Sequence, residues 1–290
     1  MRAPPPDSLD TFALMRRWQT FLEVSGRVGE STRRQYRRYL LSFLADTMKD
    51  LREVTEDDVV TYLAELPAKG HARGAALRAL RSFYGWASER DEMPTNPVRR
   101  LKIPKPKYGP APFLNEADLE LVLTTAGEMD DPRIRPTLEL MFATGGRVGS
   151  ICALHVSDLH IEEPSPWLRF TTAKNDDPYD VWLGPLGVKA CRELLALAEY
   201  RPSRSGRRRS TLVGVGTSRV EQWCQEIERR SGIECWPHLL RHTFADRLVN
   251  DPSVPPVVAA SMLNHHDTTL LMRYARGRDS ARQAAAKAHF

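Results

Sequence analysis

A proline-rich stretch near residue 100 limits how this chain can fold. The segment "NPVRRLKIPKPKYGPAPFLNEAD" (96–118) contains five prolines, which lack an amide donor and block a continuing helix. A chain of 290 residues is long enough for two domains. We therefore interpret residues 96–112 as an extended interdomain linker that joins a domain at 8–95 to a second domain at 113–290.

The residues before this linker show four helical patterns and no strand pattern. Apolar side chains recur at helical spacing in "STRRQYRRYLLSFLADT" (31–47), for which Ser31 or Thr32 is the expected cap. The segment at 55–66 begins with a capping threonine and acidic residues, as the helix dipole favours. In "HARGAALRALRSFYGWASERD" (71–91), apolar residues share one side while the arginines are free to face outward. The sequence predicts a small all-helical first domain.

The residues after the linker are also mostly helical, with one exception. "RIRPTLELMFATGGRVGSICAL" predicts a helix, a Gly-Gly break and another helix. "WLRFTTAKNDDPYDVWLG" (167–184) has strand-like flanks around a polar turn, which indicates a hairpin. The predicted fold class is mainly α with a small antiparallel β-sheet.

Basic residues are concentrated in the front of the chain. Residues 1–110 hold 20 Lys/Arg against 14 Asp/Glu, whereas residues 111–290 hold 22 against 23. Such a distribution is typical of a protein with a polyanionic partner, although a solvated surface explains it equally well. The candidate nucleic-acid contacts are Arg33, Arg34, Arg37, Arg73 and Arg81 on the helices, and Arg99, Arg100, Lys102, Lys105 and Lys107 in the linker.

Several classes of protein are disfavoured by the sequence. No apolar run approaches 18 residues, which argues against a membrane span, and the first residues lack the apolar stretch of a secretory signal. The four cysteines show no CxxC spacing, so we expect free thiols in a reducing compartment rather than disulfides or a zinc site. A cytoplasmic protein is the expectation.

The stretch "HLLRHTF" (238–244) places two imidazoles and a guanidinium at the start of an apolar helix. Pro237 suits the first helical position, and His238 and Arg241 are three residues apart, so their side chains can grip one anion. A zinc helix would use His238 and His242, but Leu239 stands where the general-base glutamate belongs, and Arg241 repels a cation. We therefore expect no metal. Without further motifs, core histidines would be the default interpretation.

Two further segments carry similar chemistry. In "ATGGRVGSICAL", Arg147 follows the Gly-Gly break at a helix start, where a guanidinium and backbone N–H groups can converge on an anion. In "SMLNHHDTTLLMRYAR", Asn264 occupies the expected left-handed position after a helix. His265 follows it, and Tyr274 comes nine residues later.

This ordered set resembles the tyrosine recombinases, the phage-integrase family that includes the bacterial Xer recombinases. The family's Thr-Gly-x-Arg element matches "TGGR" (144–147), His-x-x-Arg matches "HLLRHTF", and Leu-Gly-His matches "LNH" (263–265). The family's hairpin lysine matches Lys174, and its nucleophile matches Tyr274. The resemblance is close over about residues 110–276 and looser before them. Two positions depart from the pattern, because Asn264 replaces a glycine and Ser150 stands where an acidic residue is usual.

The resemblance implies a SAM-like core-binding domain followed by a catalytic domain, with duplex DNA held between them. It also implies a reaction that needs no ATP or cofactor: a tyrosine attacks a DNA phosphodiester, forms a 3′-phosphotyrosyl link and passes strands through a Holliday junction. Arg147 and Arg241 are expected to neutralise the phosphate, and His238 to accept the proton of Tyr274. Lys174 is expected to protonate the leaving oxygen, and His265 to hydrogen-bond the phosphate. His242 and His266 are expected to be structural.

The implied partners are double-stranded DNA, three further copies in a homo-tetramer on two DNA sites, and a directionality factor. We expect a role in integrating or excising phage or other mobile DNA. Few residues precede the first helix, so we expect a compact integrase without an arm-site domain. Xer-type resolution of chromosome or plasmid dimers is the alternative, and a catalytically silent regulator or a topoisomerase-like enzyme stays open. The alanine-rich tail (280–290) is expected to dock on a neighbouring protomer.

Overall fold

The computed structural model describes residues 8–67, 71–102, 111–162, 164–171, 178–199, 211–264, 271 and 274. The chain divides into two compact units, Met1–Lys107 and Tyr108–Phe290. Val98 is buried in the core of the first unit, and Ala111 is buried in a small cluster of the second. The assignment of 96–112 as a linker stays a prediction, and its two described ends lie against different cores.

The described part of the first unit contains four helices, α1 (Ser8–Val24), α2 (Glu30–Thr47), α3 (Glu56–Glu65) and α4 (Ala72–Ser88). One face of α4 forms the centre of the core, with Leu80, Phe83 and Tyr84 fully buried. Trp18 of α1 packs edge-on against Phe83, with 5.5 Å between the ring centroids. The all-helical first domain predicted from the sequence is confirmed.

The beginnings of α2 and α3 show one wrong and one correct cap prediction. The cap of α2 is Gly29, whose carbonyl accepts from the N–H groups of Thr32 and Arg33 at 3.0 Å each. The predicted cap at Ser31 or Thr32 is wrong because the first turn begins before those residues. At α3, the Thr55 hydroxyl accepts from Asp58 N at 3.3 Å, and Asp58 Oδ2 accepts from Thr55 N at 2.9 Å, which completes a capping box.

The second unit is built around the buried helix α6, which packs against α5, α8 and α10. The four cysteines of this unit are free and buried. Desolvation raises the pKa of Cys191 to about 12 and that of Cys152 to about 11, so both thiols stay protonated near neutral pH. The helices of this unit within the described residues are α5 (Glu116–Gly127), α6 (Ile134–Thr144), α7 (Val148–Ala153), α8 (Pro185–Glu199), α9 (Thr217–Ser231), α10 (Pro237–Asn250) and α11 (Pro256–Met262).

A three-stranded antiparallel sheet, in the order β1-β2-β3, completes the second unit. Its strands are β1 (Leu159–His160), β2 (Trp167–Phe170) and β3 (Tyr179–Trp182). Leu168 and Phe170 turn inward and are fully buried, while Trp182 on the opposite face is exposed. The predicted hairpin is confirmed in β2 and β3, whereas β1 was missed because two residues show no periodicity. None of the described helices combines the length and apolar character needed to cross a membrane.

Candidate active site

Helix α10 carries the "HLLRHTF" stretch and begins where the sequence predicts. Trp236 is the N-cap and Pro237 occupies the first helical position, which needs no amide donor. Leu239 and Leu240 are buried in the core, whereas His238 between the cap and these leucines is exposed. The helix is thus anchored by its leucines and presents His238 to solvent.

Arg241 ties three separate segments together. Its side chain is only 3% exposed. One terminal nitrogen donates to the carbonyl of Gly145 and the other to the carbonyl of Leu263, both at 2.6 Å. These carbonyls offset the cost of burying the charge. The guanidinium therefore fixes α10 to the turn after α6 and to the end of α11.

The Gly-Gly break is required by the packing of α10. Gly145 has φ +60°, and a Cβ there would lie 2.3 Å from Cδ1 of Phe244. A Cβ on Gly146 would lie 2.8 Å from Cζ of Phe170. Neither position accommodates a larger residue without movement, and Gly145 also needs the left-handed backbone that glycine adopts most readily. The "TGGR" and "HTF" elements are therefore packed directly against each other.

Arg147 lies two residues after the carbonyl that Arg241 binds. It is the N-cap residue of α7, with φ −68° and ψ 142°, and is half-buried. Ser150, in the first turn of α7, is buried at 4% exposure. The sequence predicted an arginine at the start of the helix that follows the Gly-Gly break, and Arg147 occupies that position.

The backbone of Asn264 follows the cap prediction. It has φ +46° after α11, and its N–H donates to the carbonyl of Ser261 at 2.9 Å. Asparagine tolerates this conformation better than most residues other than glycine. Its buried Nδ2 makes no hydrogen bond within the described residues. The replacement of glycine is thus accommodated by the backbone, while Nδ2 of the added amide gains no hydrogen bond within the described residues.

Tyr274 lies beside α10. It is 7% exposed and packs in a small apolar cluster with Ala245, Leu263 and Leu271. Its hydroxyl oxygen lies 2.8 Å from Nδ1 of His242. The contact places the phenol next to the residue that follows Arg241.

This contact gives His242 a described partner at the candidate site. His242 was expected to be structural and His238 to accept the tyrosine proton; the structure shows His242 as one partner of the Tyr274 hydroxyl. The His238 and His242 rings are edge-to-face, with centroids 4.6 Å apart. Their i, i+4 spacing was the available signal, since it puts both rings on one side of the helix. The role of His238 stays a prediction.

Five residues with predicted roles lie outside the part of the chain that the structure describes. They are Lys105, Lys107, Lys174, His265 and His266. Among the described residues, no group of three or more potential His, Cys, Asp or Glu metal ligands occurs.

Arg73 differs from the expectation of an outward-facing side chain. It is half-buried, and its guanidinium donates to the carbonyls of Ala64 at 2.8 Å and Leu66 at 3.0 Å. Carbonyls at the C-terminal end of a helix lack intrahelical partners, and Arg73 supplies them for α3. Its described contacts are structural, and its assignment as a nucleic-acid contact stays a prediction.

The other basic candidates of the first unit are distributed over α2, α4 and the chain after α4. Arg34 forms an ion pair with Glu30, and Arg81 donates to the carbonyl of Leu101. Arg33 is half-buried. The exposed candidates are Arg34, Arg37, Arg81, Arg99, Arg100 and Lys102.

Two family models match the chain, the phage integrase family over residues 112–281 and the phage integrase N-terminal SAM-like domain over residues 15–91. The chain belongs to the phage integrase family. It is a site-specific tyrosine recombinase with the SAM-like and catalytic domains that the motifs predicted. Similar proteins include tyrosine recombinase XerC of Staphylococcus saprophyticus, 28% identical over 271 residues, which cover 87% of this chain and 88% of that protein. Tyrosine recombinase XerD of Listeria monocytogenes is 28% identical over 253 residues, which cover 80% of this chain and 83% of that protein.

Solved structures show the same fold at lower sequence identity. A lambda integrase tetramer bound to a Holliday junction has a TM-score of 0.73 and 17% identity, with 92% of this chain and 78% of that chain covered. The Tn1549 transposon integrase in complex with circular intermediate DNA has a TM-score of 0.70 and 16% identity, with 94% and 98% covered. The predicted fold class, mainly α with a small antiparallel sheet, is confirmed.

Proposed function

We propose that this recombinase cleaves DNA with Tyr274 as the nucleophile and holds the broken strand as a 3′-phosphotyrosyl ester. The observation that carries the proposal is the pair of contacts made by consecutive residues of α10. Arg241 binds the backbone at Gly145 and Leu263, and His242 contacts the hydroxyl of Tyr274. Segments up to 129 positions apart in the sequence are thereby joined at one end of α10.

Arg147 and Arg241 are the proposed phosphate ligands. Negative charge grows on the non-bridging phosphate oxygens as the tyrosine attacks, and arginine donors remain protonated throughout. The two carbonyl contacts fix the plane of the Arg241 guanidinium before any phosphate arrives, which is the pre-organisation that makes such donors effective. Removing one donor of this kind typically lowers the rate by about 10²–10³.

Proton transfers complete the proposed reaction. The Tyr274 oxygen forms a bond to phosphorus and gives up its proton, for which His238 is the acceptor implied by the family resemblance. The bond from phosphorus to the 5′-oxygen breaks, and Lys174 donates the proton that this leaving oxygen needs. His265 hydrogen-bonds the phosphate. In the second half of the reaction, the 5′-hydroxyl of a partner strand attacks the phosphotyrosine and releases Tyr274.

We propose integration and excision of phage or other mobile DNA as the biological role. Its support is the departure of Ser150 and Asn264 from the family pattern, which is less expected of a housekeeping Xer protein. The lambda and Tn1549 integrases share the fold. Xer-type resolution of chromosome or plasmid dimers is the second candidate, which the XerC and XerD relatives favour. The DNA sequence that the enzyme attacks separates the two roles. A site at the junction of a mobile element supports integration, and one site per replicon supports dimer resolution.

The proposed assembly is a homo-tetramer on two duplex DNA sites, acting in the cytoplasm on chromosomal or phage DNA. Its support is the related lambda integrase, which was solved as a tetramer bound to a Holliday junction. A directionality factor is a further proposed partner. The exposed basic side chains Arg37, Arg99 and Arg100 of the first unit are the first candidates for contacts to the DNA backbone.

A library of nicked duplexes with random sequence tests the chemistry. A nick close to the cleavage position lets the short 3′ fragment diffuse away, so the enzyme stays covalently attached and the attacked sequence can be recovered. Wild type is expected to retain DNA after denaturation, whereas Tyr274→Phe, which removes only the hydroxyl, is expected to retain none. Arg241→Lys keeps the charge but loses the forked geometry and is expected to react at least about 10²-fold more slowly.

The same experiment separates the competing interpretations. A catalytically silent regulator would enrich a binding sequence without ever becoming attached to it. A topoisomerase-like enzyme would become attached and would relax supercoiled plasmid, but would not exchange strands between two copies of the recovered site. Either result contradicts the proposed recombination reaction.

A further inference from the structure

We propose that His242 is the positioning residue of the nucleophile: it fixes the Tyr274 hydroxyl relative to the arginine that binds the attacked phosphate. The inference rests on the proposed role of Tyr274. It assigns a function to a histidine that the family motif does not use for catalysis.

The first support is the burial of the contact. His242 is 8% exposed and Tyr274 is 7% exposed, and Nδ1 of the ring lies 2.8 Å from the phenol oxygen. Water competes poorly for polar groups at such burial, so the hydrogen bond holds the hydroxyl more firmly than an exposed one would.

The second support is the position of His242 on α10. It directly follows Arg241, whose guanidinium is fixed by the carbonyls of Gly145 and Leu263 at 2.6 Å each. A hydroxyl that is held by His242 is therefore held by the same helical turn as the phosphate-binding arginine. Keeping two reacting groups in register in this way is a known source of rate acceleration.

The third support is a second hydrogen bond between α10 and Tyr274. Asn250, eight residues after His242 on α10, donates from Nδ2 to the backbone carbonyl of Tyr274 at 3.1 Å. Helix α10 thus binds the tyrosine at its backbone and at its hydroxyl. Together with the apolar packing of the ring, these two attachment points fix the direction of the phenol as well as its position.

Three substitutions of His242 test the inference on the duplex recovered from the nicked library. His242→Leu fills similar space without a hydrogen bond. His242→Asn keeps a polar atom one bond beyond Cγ, where Nδ1 stands in histidine, and His242→Gln moves the amide one bond further out. The single-turnover rate of covalent attachment is measured on enzyme already bound to the duplex, together with the dissociation constant.

The expected result is a selective loss of rate. His242→Leu is expected to slow attachment about 5- to 10-fold, the effect of one lost hydrogen bond, with unchanged affinity for the duplex. His242→Asn is expected to restore most of the rate, and His242→Gln is not. A general packing defect would not be repaired by the smaller asparagine. If His242→Leu does not fold, the rate difference between the Asn and Gln variants carries the same test.

Three outcomes overturn the inference. An equal or faster rate in His242→Leu would mean that the contact does not assist attack. Equal slowing in the Leu and Asn variants would mean that the imidazole itself, and not a hydrogen bond at Nδ1, is needed. If the Leu variant does not fold, equal rates in the Asn and Gln variants would show that the rate of attachment does not depend on a hydrogen bond at Nδ1. In each case the wild type still becomes attached to DNA, whereas a wild type that never attaches contradicts the proposed function instead.

Discussion

At the scale of single residues, Gly145 is the position where the site tolerates a side chain least. Gly145→Ala forces a Cβ into a left-handed backbone and to within 2.3 Å of the Phe244 ring. Backbone strain of roughly 1–2 kcal/mol and a packing cost of about 1–3 kcal/mol add to a destabilisation of about 3 kcal/mol. Calorimetry of the second unit's unfolding measures it.

Gly149→Ala is the matched control for this substitution. Gly149 lies in α7, and nothing is within 4 Å of a Cβ built there. The exchange is expected to be neutral or to stabilise the helix by about 0.5 kcal/mol. If both alanine variants unfolded at the same temperature, the packing of Phe244 on Gly145 would not be the reason for the glycine.

The backbone position of a site residue could be predicted from the sequence where it depends only on the neighbouring residues of one element. Arg147 after the Gly-Gly break and Asn264 in a left-handed cap follow from local backbone rules. The contact between His242 and Tyr274 was not predictable in this way, because it joins residues 32 positions apart. The contacts of Arg73 were missed because their carbonyl acceptors, on Ala64 and Leu66, lie at the end of α3 and not in the helix that carries Arg73.

At the scale of elements, the capping box of α3 makes the first unit sensitive to acid. Hydrogen bonds from Lys49 and from the N–H and hydroxyl of Thr55 lower the pKa of Asp58 to about 2. A carboxyl with a depressed folded-state pKa stabilises the fold above its ordinary range, and this contribution is lost as the pH falls from about 4 toward 2. Asp58→Asn is therefore expected to be less stable than wild type at pH 7, and to approach it near pH 2.

Chemical denaturation at several pH values measures this difference. Asp57→Asn is the control, because it removes a carboxylate from the same helical turn without touching the capping contacts. A gap between Asp58→Asn and wild type that stayed constant down to pH 2 would show that the ionised carboxylate does not stabilise the cap.

Elements were predicted best where the apolar pattern is long. The helical patterns of both domains and the strands β2 and β3 agree with the structure. Strand β1 was missed because its two residues pair with Trp167 and Leu168 through contacts that no local pattern reveals. The start of α2 was misplaced because a glycine cap offers no side-chain signal of its own.

At the scale of the whole molecule, the alanine-rich tail carries the prediction about assembly. Deleting residues 280–290, which lie outside the described residues, is expected to weaken the pairing of two DNA sites while sparing binding to one site. Native gel electrophoresis with one and two duplexes separates these states. Tyr274→Phe is the control, since it is expected to assemble without cleaving. Unchanged recombination after the deletion would show that the tail does not contribute to the assembly.

The order of motifs along the chain predicted the fold and the family, because each motif needs its own structural setting. The proline-rich stretch indicated two domains, and the structure has two compact units. The family models match on both sides of this stretch. The contacts between the motifs could not be predicted from the sequence. They depend on the burial of Arg241 and on the carbonyls that accept its hydrogen bonds.

We propose that the phenol of Tyr274 forms the bond to DNA. The most direct measurement is peptide mapping by mass spectrometry, after protease and nuclease digestion of the covalent complex trapped on a nicked duplex. We expect a nucleotide attached through its 3′-phosphate to the oxygen of Tyr274. Attachment through another residue, or through a 5′-phosphate, would contradict the proposed mechanism.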